Sequence, residues 1–354
     1  DDGEEQTVLD FGVKKGMNKG LFSNIDLGIG TKGRYAERGM AAYFNDKFRM
    51  MMFGNANNVN DMGFGGGPRG GFGAMRQGLN ATKMLGLNLN YNNGKTLQWD
   101  GSMRWNHSDG DQRTKVSTEN FVATQGSYGA SLSQAYTRSN SWDGRFRLEW
   151  TPDSNWDVMF RPNITLTKSD GNTVRTSASY NEDPYDYTSS PLDEEEIAKL
   201  DEKGLMVNTQ RTTNITYGDA TKLNGMLQIN RKLGHGGRNI TARVDAGYDD
   251  EDSKTFSTQD LQFFQLANAL GDDSTYRAYR YNTMPTKSWN YALQATYSEP
   301  IAYRTYLQFS YQWKYAFTKS DRSTYDFSEL PAGTFAGITP AYRSWDNYLS
   351  LLPN

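Results

Sequence analysis

The sequence predicts an all-β fold, a transmembrane antiparallel up-and-down β-barrel, of which this chain supplies about 12 to 13 strands of a larger barrel. Three observations predict it. Apolar and polar residues alternate over segments of about nine residues or more, the length that a tilted strand needs to cross a bilayer. No stretch approaches the roughly 20 consecutive apolar residues of a membrane helix. Aromatic residues make up 13% of the chain and stand at the ends of the apolar faces, as interfacial girdles do.

Composition and charge exclude several other classes of protein. The mean hydropathy of −0.78 and the apolar fraction of 36% are too low for a helical membrane protein, and the aromatic content argues against disorder. A formal net charge of −3 offers no basic excess for a nucleic-acid partner. Cysteine is absent, which removes disulfides, thiol catalysis and thiolate zinc sites. No leader precedes Asp1, so we expect a signal peptide to have been removed or to lie upstream.

The clearest strand lies between Ser141 and Trp150. Its even-numbered residues are apolar or glycine, whereas its odd-numbered residues are polar or charged. The same period of two recurs in segments that begin at Leu21, Trp156, Leu223, Ile240, Trp289 and Tyr303. On this pattern the lipid-facing surface and its girdles include Trp142, Phe146, Leu148, Trp150, Trp156, Trp289, Tyr297 and Trp313.

A soluble β-sandwich is the alternative all-β fold, because its strands also alternate. Strands of soluble proteins usually run for about 5 to 6 residues. The longer alternation and the aromatic residues at both ends of the apolar faces favour the membrane barrel.

Short polar turns punctuate the strands and alternate with long segments. We expect hairpin turns, rich in Asn, Asp, Gly, Ser or Pro, at 45–47, 92–95, 151–155, 234–237 and 298–300. The long segments are expected as outer loops at about 58–82, 121–135, 176–212, 257–279 and 319–344. Short periplasmic turns and long outer loops are typical of outer-membrane barrels. Helix formers at period 3.6 predict short helices within the loops at 192–200 and 261–270.

Motifs that would carry chemistry lack their required context. Gly65, Gly67 and Gly70 fit G-x-G-x-x-G, but no strand-to-helix transition follows, so dinucleotide binding is not expected. The two histidines, His107 and His235, are predicted at opposite ends of hairpins and cannot share a metal site or a catalytic triad. We therefore expect no enzyme, no catalytic residue and no bound cofactor.

Acidic runs in the expected outer segments are the remaining candidate for a metal site. The runs are Asp193–Glu196, Asp249–Asp252 and Asp272–Asp273. Their oxygen atoms suit Ca²⁺, but no EF-hand spacing is present. Solvated acidic loops are therefore the preferred interpretation.

Several stretches resemble one family of membrane proteins. They are Val8–Gly16, Gly20–Asn24, Met51–Asn58, the glycine-rich Gly63–Gly73 and Phe160–Asn163. In this order they are similar to the barrels of outer-membrane proteins related to the TonB-dependent receptors of Gram-negative gut anaerobes. The resemblance implies a location in the cell outer membrane, a barrel of about 22 strands around an N-terminal plug, and uptake driven through TonB.

The chain departs from the family pattern at both ends. It shows no plug or TonB box before Asp1 and no aromatic-terminated last strand before Asn354. We therefore expect an internal segment of a longer protein, from which the plug and the C-terminal strands are absent.

The resemblance predicts a transporter barrel at the cell surface that takes up a nutrient such as an oligosaccharide, a peptide or a chelate. A non-transporting surface adhesin or scaffold, suggested by loop length, and a passive porin stay open as alternatives. Expected partners are outer-membrane lipid, TonB through the absent N-terminal parts, and a surface lipoprotein. The candidate ligand contacts are aromatic residues of the outer loops: Tyr180, Tyr185, Tyr187, Phe263, Phe264, Tyr276, Tyr279 and Tyr281.

Overall fold

A computed structural model describes residues 19–60 and 79–329, apart from positions 124, 235 and 268. Most of this part of the chain is β-strand, with one short α-helix, α1 (Glu194–Glu202). The strands are β1 (Gly20–Ile29), β2 (Tyr35–Phe44), β3 (Phe48–Asn57), β4 (Leu79–Asn92), β5 (Leu97–Glu119), β6 (Tyr128–Trp150), β7 (Trp156–Tyr180), β8 (Met206–Lys232), β9 (Asn239–Ala267), β10 (Asp273–Ala302), β11 (Thr305–Ser320) and β12 (Ser323–Asp326).

The strands form a single antiparallel meander. From β1 to β11 each strand pairs with its neighbours in the chain. The short β12 pairs with β10 in the register that β11 has already set, so it continues β11 after an interruption at Asp321 and Arg322. The predicted all-β, antiparallel up-and-down fold is confirmed. Within the described residues, no helix is long and apolar enough to cross a membrane.

Four of the predicted hairpin turns lie where the sequence puts them, between β2 and β3, β4 and β5, β6 and β7, and β8 and β9. Side-chain oxygens explain their positions. Asn45 Oδ1 accepts hydrogen bonds from the backbone N–H groups of Lys47 and Phe48 at 2.9 and 2.8 Å. Asn93 and Asp153 cap their own turns in the same way. His235, in the β8–β9 turn, is outside the described residues.

The fifth turn is not at 298–300 as predicted. β10 continues to Ala302 and the turn falls at Tyr303 and Arg304, where Arg304 takes a left-handed φ of 59°. The β10–β11 register shifts between Pro300 and Ala302. A bulge at the strand end accommodates a proline that has no N–H for the ladder, so the proline does not mark the turn itself.

The long loops are shorter than predicted. Residues 128–135, 176–180, 206–212, 257–267 and 273–279 belong to strands, which leaves described loops at 120–127 and 181–205 and around 268–272. The prediction places the strand ends where apolar alternation stops. The strands are longer because their hydrogen-bonded ladders continue beyond that point. At 58–82 and 319–344 the strands β4, β11 and β12 also take part of the expected loop; 61–78 and 330–344 are outside the described residues, as are the glycine-rich stretch and Val8–Gly16.

The two predicted loop helices have different outcomes. The helix expected at 192–200 is present as α1, shifted by two residues. The prediction of a helix at 261–270 is wrong, because β9 extends to Ala267. Within it, Leu261 pairs with Gln210 of β8 and with Tyr276 of β10. Pairing with two neighbouring strands outweighs the helical propensity of this segment.

Candidate functional site

The apolar faces of the strands join into one continuous belt. Because the ladders run without a register shift through this region, residues that face the same side line up from strand to strand. One cross-strand row from β3 to β11 reads Met52, Leu87, Met103, Gly144, Ile164, Leu223, Tyr248, Trp289 and Phe317. We call this side of the sheet the belt face.

Aromatic rings border the belt at both levels. At the level far from the short turns, Trp105 packs against Trp142 with ring centroids 6.1 Å apart, and Trp289 lies 5.7 Å from Tyr248. Near the short turns, the Arg231 guanidinium stands 4.8 Å from the centre of the Trp156 ring. The register places the whole predicted lipid-facing set on the belt face, namely Trp142, Phe146, Leu148, Trp150, Trp156, Trp289, Tyr297 and Trp313.

The opposite side of the sheet, the polar face, carries amides and charges at the same levels. One row reads Asn88, Ser102, Arg145, Asn163, Asn224, Gly247 and Asn290. Arg243 forms an ion pair with Asp245 at 2.8 Å, and Arg147 pairs with Glu149. A Cβ added at Gly247 would lie 2.6 Å from the Asn290 amide and 2.8 Å from that of Asn224. The two amides therefore occupy the space beside Gly247 that a larger side chain would need.

The belt ends abruptly beyond its aromatic border. Lys168 follows Leu166 by two residues on β7, and Lys287 precedes Trp289 by two residues on β10, so both lie on the belt face. Lys168 Nζ lies 3.1 Å from an Asp219 carboxylate oxygen, and Lys287 Nζ lies 3.1 Å from Asp250. These two ion pairs lie in neighbouring cross-strand rows, and we call them the collar. The strands continue well past it, β9 by ~50 Å at ~3.3 Å per residue. The belt is therefore a band of limited height within much longer strands.

Beyond the collar, the loop 181–205 folds back onto the belt face. Its anchor is a buried cluster formed with the ends of β6, β7 and β8: Ala130, Ala178, Tyr180, Leu200, Leu205 and Met206. The Tyr180 side chain is 0% exposed, and its hydroxyl donates to the Pro191 carbonyl at 2.7 Å. Burial raises the pKa of Tyr180, so its hydroxyl stays protonated and serves as a donor. The cluster fixes α1 against the sheet.

A groove of about 620 Å³ with mixed polar and apolar walls lies between this loop and the extended strands. Its floor is the cross-strand row Thr176, Arg211, Asp260 and Arg277, all on the belt face. Arg277 Nε lies 3.5 Å from Asp260 Oδ1, and the Tyr279 hydroxyl donates to the same carboxylate at 2.9 Å. Burial, followed by the bond to Asp260, raises the pKa of Tyr279. Leu192, Glu194 and Ile197 form the loop side of the groove.

The aromatic candidates do not form one site. Tyr279 lies at the groove through its bond to Asp260, whereas the strand at Tyr276 lines the groove but its side chain, 49% exposed, projects to the polar face. Tyr281 is 8% exposed and stacks on Tyr325. Phe264 packs against the buried cluster, and its neighbour Phe263 points to the other face of β9. Tyr180 packs the loop as described above.

The remaining two aromatic candidates hold the loop itself. Lys115 Nζ lies 5.0 Å from the centre of the Tyr185 ring, and Lys203 Nζ lies 4.6 Å from that of Tyr187. The Tyr187 hydroxyl also donates to Glu182 at 2.6 Å. Both rings therefore already have a structural role.

The charged floor of the groove was missed by reading the sequence. Arg211, Asp260 and Arg277 are far apart in the chain, and only the register of β8, β9 and β10 brings them into one row. Among the described residues, no group of three or more His, Asp or Glu side chains is arranged to hold a metal ion. His107 contacts Asn140 at 2.6 Å and Asp109 at 2.8 Å.

Comparisons with known proteins give only distant similarity. No protein-family model and no curated protein matches the chain. Among solved structures, the copper transporter OprC is 8% identical with a TM-score of 0.21; the match covers 84% of this chain and spans 62% of OprC. The CymD monoaromatic hydrocarbon channel is 10% identical with a TM-score of 0.19, covering 89% of both chains. The Pseudomonas putida toluene transporter TodX is 10% identical with a TM-score of 0.20, covering 85% of this chain and 86% of TodX.

Proposed function

We propose that this chain forms part of the wall of an outer-membrane β-barrel, with the belt face against lipid and the polar face toward a lumen. The observation that carries the proposal is the continuous belt. From Trp142 to Trp150 it spans ~26 Å of strand, or about 20 Å of height at a tilt of ~40°. With the girdle rings added, this approaches the apolar band of roughly 25 Å on outer-membrane barrels.

Water is a poor solvent for this face. Large apolar side chains on it, such as Met103 at 51% and Trp313 at 45%, are exposed. Within the described residues, the loop 181–205 covers part of the face beyond the collar, and no second layer covers the belt. A contiguous apolar surface of this extent is unfavourable in water and favourable in hydrocarbon.

Backbone hydrogen bonding adds a condition. In a bilayer every strand edge must be paired, since unpaired N–H and C=O groups cost several kcal/mol each in hydrocarbon. β1 and β11 are the edges of the described sheet. The proposed barrel is therefore closed by further strands of the same protein.

The proposed activity is uptake of a nutrient ligand along the polar face, in the manner of TonB-dependent receptors. Support comes from the family resemblance and from the amides and paired charges that line this face. TonB, reached through an N-terminal plug, and a surface lipoprotein are the proposed partners. Phe263 and Tyr276, which face away from the belt, are the foremost of the aromatic candidates for ligand contact along this path.

A surface-binding role is the second candidate function. The observation that favours it is the loop 181–205, which builds a groove on the belt face, outside the proposed lumen. In that case the long strands act as a support for external contacts, and no ligand passes through the barrel.

Cysteine labelling in cells tests the placement, because this chain has no cysteine of its own. Thr188→Cys in the loop 181–205 and Ser154→Cys in the β6–β7 turn are introduced singly into the full-length protein without other cysteines. We expect a membrane-impermeant maleimide to label Thr188→Cys in intact cells and Ser154→Cys only after lysis. Labelling of both before lysis, or the reverse order, contradicts the proposed sides.

Uptake measurements separate the candidate functions. A deletion strain is compared with its parent for growth on oligosaccharides, peptides and metal chelates as limiting nutrients. A growth defect that is restored by the intact protein, but not in a strain without TonB, supports active uptake. Normal growth on every nutrient with loss of surface binding supports the adhesin. Steady conductance of the purified barrel in planar bilayers, without an energy source, indicates a porin.

A further inference from the structure

We propose that the groove beside α1 is a saccharide-binding site on the outer wall of the barrel, separate from the ligand path. Its occupant is the carbohydrate part of the glycolipid that surrounds the protein. This occupant rests on the proposed function, because the membrane placement determines what meets the groove. The chemistry of the groove can be argued without that placement.

The lining of the groove suits hydroxyl-rich ligands. Thr176, Thr209 and Thr275 supply hydroxyl groups that donate and accept. The Gln262 amide and the Glu194 carboxylate add planar polar groups. A volume of about 620 Å³ lies within the roughly 300 to 1,000 Å³ of ordinary ligand sites.

Arg211 is the principal donor that the groove offers. Its side chain is exposed and sits directly across from Asp260 in the ladder. The carboxylate of Asp260 is already engaged by Arg277 and by the Tyr279 hydroxyl. In the described part of the chain, no ion pair is formed by the Arg211 guanidinium. Its fork of N–H groups is therefore available to sugar hydroxyls or to an acidic sugar substituent.

The groove is formed before any ligand arrives. Leu200 and Tyr180 are buried in the cluster that holds α1, and Asn181 N–H donates to the Leu205 carbonyl at 2.9 Å, which closes the base of the loop. The side chain of Gln265 donates to the Met206 carbonyl at 3.1 Å. A ligand would not have to order this loop, so less binding free energy is lost to reorganisation.

The position of the groove selects the occupant. Thr176, Thr209, Arg211, Asp260 and Arg277 share the belt face, so they look away from the lumen. Thr176 follows Leu166, at the upper border of the belt, by ~33 Å of strand, or about 25 Å of height at ~40° of tilt. On the outer side of the wall, this level is above the hydrocarbon and headgroups and within the saccharide layer of an outer leaflet built of glycolipid.

Binding to soluble glycan tests the proposal. The purified full-length protein in detergent is titrated by calorimetry with the deacylated oligosaccharide of the host lipopolysaccharide, and separately with lipid A that carries no oligosaccharide. We expect the oligosaccharide to bind and lipid A not to compete for the groove. The double variant Arg211→Gln, Arg277→Gln should bind about tenfold more weakly or worse, because it loses charged donors.

A matched control lies at the same height. Arg175 is next to Thr176 on β7 but faces the polar side, so Arg175→Gln should bind within about twofold of the parent. If the double variant does not fold, Thr209→Val removes one hydroxyl and should still weaken binding severalfold. Equal binding by parent and groove variants, or binding of lipid A alone, overturns the proposal. Since the titration needs no membrane, it can succeed even if the labelling of Thr188→Cys and Ser154→Cys contradicts the proposed sides.

Discussion

An arginine placed on the belt face should impair folding into a membrane far more than the loss of a neighbouring arginine from the polar face. Leu148 pairs with Trp99 and Phe160 within the belt, two residues from Phe146 at its middle. An arginine near the middle of an outer-membrane barrel costs roughly 2 to 4 kcal/mol, and less toward the interfaces. Because Leu148 lies about 5 Å in height from the middle, we expect Leu148→Arg to cost about 2 to 3 kcal/mol.

Arg147→Leu is the matched control on the polar face. Arg147 pairs with Glu149, and Arg161 Nη2 lies 3.9 Å from the same carboxylate. Removal of Arg147 leaves Glu149 a second cation and access to water, since its side chain is 27% exposed. The loss of a partly exposed ion pair costs about 1 kcal/mol or less.

The assay is reversible folding of the full-length protein into phosphocholine vesicles, followed by the gel mobility of folded barrel across a urea series. We expect Leu148→Arg to lower the midpoint well below that of the parent, and Arg147→Leu to stay close to it. Equal losses for the two variants would refute the assignment of faces. A larger loss for Arg147→Leu would mean that the faces are reversed.

Three further predictions concern packing and the loop 181–205. Gly86→Ala places a Cβ 2.3 Å from the Phe53 ring, so it should cost about 1 to 3 kcal/mol in the same urea series; Gly225→Ala, with nothing within 4 Å, should change stability by less than about 0.5 kcal/mol. Tyr180→Phe removes the donor to the loop carbonyl and should destabilise the loop by about 1 kcal/mol, seen as faster protease cleavage within 181–205. Burial raises the pKa of Asp201, so its ionised form opposes the folded loop at neutral pH. Asp201→Asn should therefore slow cleavage at pH 7, and the advantage should shrink as the pH falls toward the pKa of the carboxyl; an advantage that does not change with pH contradicts this origin.

The parts of β1 and of β6 to β11 within the belt could be read from the sequence, whereas the sequence analysis identified no alternation in β2 to β5. Ser141–Trp150 alternates because its two faces meet different surroundings, and that difference is recorded in every second residue. Turns capped by their own side chains, as at Asn45 and Asp153, could also be predicted from the sequence. Beyond the collar the alternation fades, as expected where both faces meet water, while the hydrogen-bonded ladder continues. For this reason the sequence predicts loops where β8 and β9 continue beyond the collar.

The groove could not be predicted from the sequence. Arg211, Asp260 and Arg277 meet only through the registers of three strands, and no local pattern encodes a register between segments so distant in the chain. The sequence also does not show on which face of the sheet the loop 181–205 packs. That face depends on Tyr180 and Leu200 packing together, and the sequence showed Tyr180 only as an exposed-loop aromatic.

A nitroxide scan along β6 tests the central claim most directly. Single spin labels at positions 141–150 of the full-length protein in lipid vesicles are compared for collision with oxygen, which concentrates in hydrocarbon, and with a polar nickel chelate, which stays in water. We predict high oxygen and low nickel accessibility at even-numbered positions from 142 to 150, and lower oxygen accessibility at the odd-numbered ones. Uniformly low accessibility to both reagents at the even positions, as in a dry protein interior, would contradict a belt that faces lipid.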